Sequence, residues 1–94
     1  MSGTNFYEID YLESVIKEDI PILSKSAKNL IKHAIEERLM QDPIGFGKPL
    51  RYSLKGHRRL RVSDYRIVYR IDSKNKKVLI VAIKHRKNVY DELK

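Results

Sequence analysis

Ninety-four residues, 41% of them hydrophobic, supply one thin core between two layers, so residues 1–94 read as a single domain. Twenty Lys and Arg against twelve Asp and Glu give a formal charge of +8, which favours nucleic acid, an anionic membrane surface or an acidic protein as partner, with a merely solvated surface as the alternative. The absence of cysteine excludes disulfides and thiolate metal sites, and the longest apolar run, Val78–Ile83, falls far short of the ~20 residues of a membrane span.

The first residues lack the basic and apolar regions of a signal peptide, so the expectation is a soluble, cytoplasmic protein with no membrane partner. Alternation over Phe6–Tyr11 predicts an opening strand. Glu13–Leu23 suits a short helix that Pro21 kinks or breaks. Ala27, Leu30, Ile31, Ala34, Ile35 and Leu39 then recur at three- and four-residue steps and form one apolar stripe, with Lys28, Lys32, Glu36, Glu37 and Arg38 mostly outside it. Ser24 is placed to cap this helix and Asp42-Pro43 to stop it, while His33 reads as a surface histidine.

Ile44–Pro49, punctuated by Gly45, Gly47 and Pro49, reads as a linker. Strands are expected over His57–Val62, Tyr65–Asp72 and Val78–His85, joined by hairpin loops at Ser63-Asp64 and Ser73–Lys77. The fold class is α+β in the order β-α-α-β-β-β, with two helices on one face of a small, twisted, mostly antiparallel sheet. Charge divides along the chain as well: after Gly47 the acids are Asp64, Asp72, Asp91 and Glu92 alone, so the positive excess sits in the second half.

The first hairpin fixes faces. With a two-residue turn at Ser63-Asp64, Val62 opposes Tyr65, Leu60 opposes Ile67 and Arg58 opposes Tyr69. Leu60, Val62, Tyr65, Ile67, Tyr69 and Ile71 then share an apolar face for the helix to cover. The other face collects His57, Arg59, Arg61, Arg66, Val68 and Arg70 and is expected to stay open as a cationic groove. A wet sheet face usually mixes Thr, Ser, Glu and Lys, whereas the arginine fork matches phosphate oxygens. Apolar on both sides, Val78–Ile83 suits a central strand, and it delivers Lys84, His85, Arg86, Lys87 and then Tyr90 to the sheet rim. Histidine exchanges protons near neutral pH, and a tyrosine ring stacks on bases; a charged tail with Tyr90 on the core is the plainer alternative.

These segments resemble a known family. LKGHRRLRVSDYRIVY (54–69) is similar to the stretch LxGxxRLRxGxYRxxY of RelE/ParE-superfamily toxins, and KHRKNVY (84–90) to their closing HRxxxY. Asp42-Pro43 with Gly47–Leu50 matches the linker that follows their second helix. The resemblance implies a type II toxin of the RelE kind: a metal-independent endoribonuclease, without cofactor, that cuts mRNA on the ribosome by 2′-hydroxyl attack on the adjacent phosphate and so inhibits translation. It also implies a cognate antitoxin with an acidic, disordered segment, and a toxin–antitoxin complex on operator DNA. The alternatives are a ParE-like inhibitor that binds DNA gyrase without cleaving anything, and a non-toxic nucleic-acid-binding module. Carried over residue by residue, the catalytic set is Arg59, Arg66, His85, Arg86 and Tyr90, with Arg66 on the scissile phosphate. RNA binding falls to Lys55, His57, Arg61, Arg70, Lys84 and Lys87. Arg59 and His57 stand where RelE-type toxins carry lysines, and Ser63 where glycine is usual. Arginine is a poor base, so Arg59 would stabilise charge and His57 or His85 would move protons.

Overall fold

Ser24 opens the principal helix as expected, its hydroxyl accepting a hydrogen bond from the Ala27 amide at 3.1 Å. In the computed structural model, which describes residues 6–87, helix α1 (Lys25–Ala34) runs without interruption into a π-helical turn at Ile35–Leu39. The buried stripe is Ala27, Ile31, Ala34, Ile35 and Leu39. Leu30 departs from the expectation: it is 45% exposed, because a helix this lightly covered buries only a narrow arc and Leu30 lies at its flank. A second π-helical stretch of five residues, Val15–Asp19, precedes α1 in the chain and buries Val15 and Asp19.

The strands are β1 (Glu8–Tyr11), β2 (Lys48–Pro49), β3 (Arg58–Val62), β4 (Tyr65–Asp72) and β5 (Lys77–His85), in the spatial order β1-β5-β4-β3-β2. All pairings are antiparallel except β1 with β5. The β3–β4 register is the expected one: Val62 opposes Tyr65, Leu60 opposes Ile67 and Arg58 opposes Tyr69. Ser63 carries the turn with φ 55°, the left-handed conformation that glycine adopts more cheaply.

The segment expected to be a linker is partly regular. One helical turn, α2 (Pro43–Phe46), is capped by the Asp42 carboxylate, which accepts from the Gly45 amide at 2.9 Å. Strand β2 follows and pairs Lys48 with Arg59 and Pro49 with Arg58. Elements of four and two residues are too short to leave a periodic trace.

The core lies between α1 with its π turn and the face of the sheet bearing Leu60, Val62, Ile67, Tyr69, Val78, Ile80 and Ile83. Residue 81 is skipped between the pairs Val68–Ala82 and Tyr69–Ile80, a bulge that keeps both ends of β5 in phase with the core. Beyond the end of β1, the edge of β5 is closed by a side chain: Asp19 Oδ2 accepts from the Ile83 amide and Oδ1 from Lys84 Nζ, both at 2.9 Å. No helix among the described residues is long and apolar enough to cross a membrane.

Candidate nucleic-acid interface

The sheet face turned away from α1 carries two cationic rows. One runs Arg61, Arg66, Lys84 across β3, β4 and β5, each directly opposite the next. The other begins Lys48, Arg59 across β2 and β3 and ends on the apolar Val68 and Ala82. Like charges on directly opposed residues repel, so the arrangement costs stability until an anion lies across it.

The cations are not equally open, so the cationic face expected to stay open as a groove is open only in part. Arg61 and Arg70 are exposed and Arg59 half-buried, whereas Arg66 is only 9% exposed. Its Nη1 reaches the Tyr65 carbonyl at 3.4 Å, one of its contacts in the folded chain. Val68, on the same face and outside the main core, is buried as well. Lys84 rises from this face too, but its ammonium turns to the sheet edge and the buried Asp19. Arg70 stands on the next row toward the other end of β4, in a shallow cleft with Asp10, Asp72 and Lys77.

The histidines divide between the faces. His57 lies just before β3, two residues from Arg59, a spacing that in extended backbone shares Arg59's side; its carbonyl accepts from the Leu50 amide, and its Nδ1 is buried with no hydrogen-bond partner among the described residues. His85 opposes Tyr65, so it belongs to the helix side of the sheet, away from the arginines. Its ring meets Tyr65 edge-on, with centroids 5.4 Å apart and planes at 84°, and Nδ1 accepts from the Lys87 amide at 3.3 Å. Arg86 leans on the β3–β4 turn: Nε lies 3.7 Å from Asp64 Oδ1, and its amide donates to the Asp64 carbonyl. Lys55 and Lys87 are exposed, and Tyr90 lies outside the described residues.

Arg58 is absent from the cationic face, as its opposition to Tyr69 requires. Its Nη2 donates to the carbonyls of Ile44 at 2.6 Å and Gly47 at 2.7 Å, and the buried Tyr69 hydroxyl donates to the Pro43 carbonyl at 2.6 Å. Three carbonyls of the α2 turn are thereby tied to the β3–β4 ladder. Gly47 is needed for that approach, since a Cβ there would stand 1.8 Å from the Tyr69 hydroxyl. Burial raises the Tyr69 phenol above its ordinary value, and the hydrogen bond and charge of Arg58 offset this only in part.

Three polar residues escaped the sequence reading. Lys48 was hidden by the apparent linker, although Gly47-Lys48-Pro49 is a spacing that can open an edge strand. Asp19 and Arg38 look like ordinary helix polar residues, and nothing local marks their partners. Among the described residues no group of three or more His, Asp or Glu side chains converges.

An open, mostly antiparallel sheet with helices on one face and arginines on the other defines a small basic α+β domain. The comparisons make the class specific: the family model for the ParE toxin of the type II toxin–antitoxin system parDE matches residues 7–90, and the chain belongs to that family. Toxin RelG of Mycobacterium tuberculosis is 40% identical over 52 residues, which is 55% of this chain and 60% of that protein, so the match spans less than two thirds of the relative's length. Among solved structures, the toxin–antitoxin complex RelBE2 of M. tuberculosis has a chain superposing with TM-score 0.82 at 27% identity, covering 92% of this chain and 98% of that one. The isolated E. coli RelE toxin gives TM-score 0.69 at 22% identity over 92% and 93% of the two chains, a likeness of fold.

Proposed function

We infer that this toxin acts as the RelE kind does, as a metal-independent, ribosome-dependent endoribonuclease that cuts mRNA by attack of a 2′-hydroxyl on the adjacent phosphate. The observation carrying the reading is the direct opposition of Arg61 and Arg66 with Arg59 on the neighbouring row, three guanidiniums on one face. Arg66 holds the scissile phosphate. Arg59 stabilises the developing charge from a fixed position. Arginine keeps its proton at any working pH, so proton transfer falls to a histidine, and His57 is the one on the arginine side. Arg70 and Lys55 extend the RNA path, with Arg86 and Lys87 at the sheet rim.

The complex of the M. tuberculosis relative with its antitoxin supports a cognate antitoxin for this chain also. An acidic, disordered segment suits the cationic face and folds on it, which keeps the pair sensitive to proteolysis of the antitoxin.

The test is induced expression without antitoxin, with cut sites on cellular messages mapped by primer extension. Cuts inside translated codons are expected with the native chain and absent with Arg66→Ala. Because Arg66 is buried, the variant's far-UV spectrum and melting curve must first show that it folds. Intact messages with a DNA-damage response would replace this reading by the gyrase-binding one.

A further inference from the structure

The cleft beside β2 joins both layers of the molecule. Strand β2 covers β3 only at Arg58 and Arg59, so among the described residues the outer edge at Leu60 and Arg61 has no strand neighbour. A cleft of about 260 Å³ opens there, lined by Arg38 from the π turn, Phe46 from α2, Lys48, Arg59, Leu60 and Arg61. Four of the six are cations, none is acidic, and no ion pair among the described residues engages those four.

Phe46 is the anomaly. The residue is 51% exposed, yet the turn that carries it is tied down at several points. The Arg58 guanidinium, the Tyr69 hydroxyl, the Asp42 cap and the close approach at Gly47 all hold that turn in place. A ring fixed by its backbone and left bare at the mouth of a cationic cleft loses little further freedom when something stacks on it. Leu60 is 4% exposed, so Phe46 alone offers apolar surface. An amphipathic peptide helix would need several apolar anchors at helical spacing. One aromatic face among phosphate-matching cations suits a nucleotide.

We propose that this cleft is a nucleotide subsite for single-stranded RNA, in which a base stacks on Phe46 while Arg38, Lys48, Arg59 and Arg61 hold the flanking phosphates. It takes a residue next to the cleaved one, since Arg59 and Arg61 belong both to this cleft and to the arginine face. The ligand's identity rests on the nuclease reading; the ring, the cations and the fixed turn do not.

The test is equilibrium binding of a labelled hexaribonucleotide at low salt, with 2′-O-methyl sugars that leave no 2′-hydroxyl to attack the phosphate. Phe46→Ala should bind about tenfold more weakly with an unchanged melting temperature, and Phe46→Trp should bind at least as well as the native chain. Ile44→Ala, on the same turn but outside the cleft, should match the native protein. An oligonucleotide lacking one base at the stacked position should lose its sensitivity to Phe46. Equal RNA affinities for folded Phe46→Ala and the native chain would overturn the subsite, and so would an oligoglutamate peptide that loses as much affinity as the RNA. Message cleavage in cells is scored separately. Phe46-sensitive binding without cleavage keeps the subsite and removes the nuclease; cleavage with Phe46-insensitive binding does the reverse.

Discussion

Tyr69 and Arg58 face each other across the β3–β4 ladder, and both spend their polar groups on the α2 turn. Tyr69→Phe leaves the Pro43 carbonyl without its buried donor and should cost about 1–3 kcal/mol, read as a lower denaturant midpoint at unchanged slope. The same substitution has a pH signature. The folded phenol titrates above the unfolded one, so its contribution is complete below the unfolded value near 10 and is lost as pH rises through the folded value. The native chain should therefore lose stability above roughly pH 10 more steeply than Tyr69→Phe does. Equal alkaline slopes would mean that the hydroxyl is not held protonated by the fold.

Elements were legible in proportion to how locally they are specified. The β3–β4 hairpin could be read residue by residue because a two-residue turn fixes the register, and the register fixes which arginines share a face. The long helix was legible from its period but not to its edge. Ile31 and Leu30 were indistinguishable as stripe members, yet only Ile31 is buried. Ile31→Ala should cost about 2–4 kcal/mol and Leu30→Ala less than about 1, a contrast that urea denaturation of the two variants measures directly. Equal losses would place Leu30 in a covered environment. What stayed invisible depends on distant partners. Asp19 meets the Ile83 amide across 64 positions of chain, and Arg38 lines a cleft whose other residues lie on α2, β2 and β3. The resemblance to toxins supplied roles for Arg66 and His85 but not their surroundings, so it missed that one is buried and the other faces the helices.

At the scale of the whole molecule, a formal charge of +8 comes with like charges directly opposed on one sheet face, and this should set binding against stability. Arg61 is exposed and directly opposes Arg66, so Arg61→Gln removes repulsion while keeping most of the side chain. At low ionic strength the variant should melt about 2–4 °C higher, the equivalent of roughly half a kilocalorie per mole in a domain of this size. Near 1 M salt the Debye length falls to about 3 Å, less than the separation of paired strands, and the gain should vanish. RNA affinity should move the other way, falling at low salt, with the slope of log K against log salt reduced by about 0.7 for one lost phosphate contact. Melting curves at two salt concentrations and a binding titration at four or five decide the matter together. If Arg61→Gln melts lower at every salt concentration, the guanidinium stem is packing on the sheet rather than straining it. Its charge would then belong to the fold, and the cost attributed to an unfilled anion site would have to lie with Arg59 and Lys48.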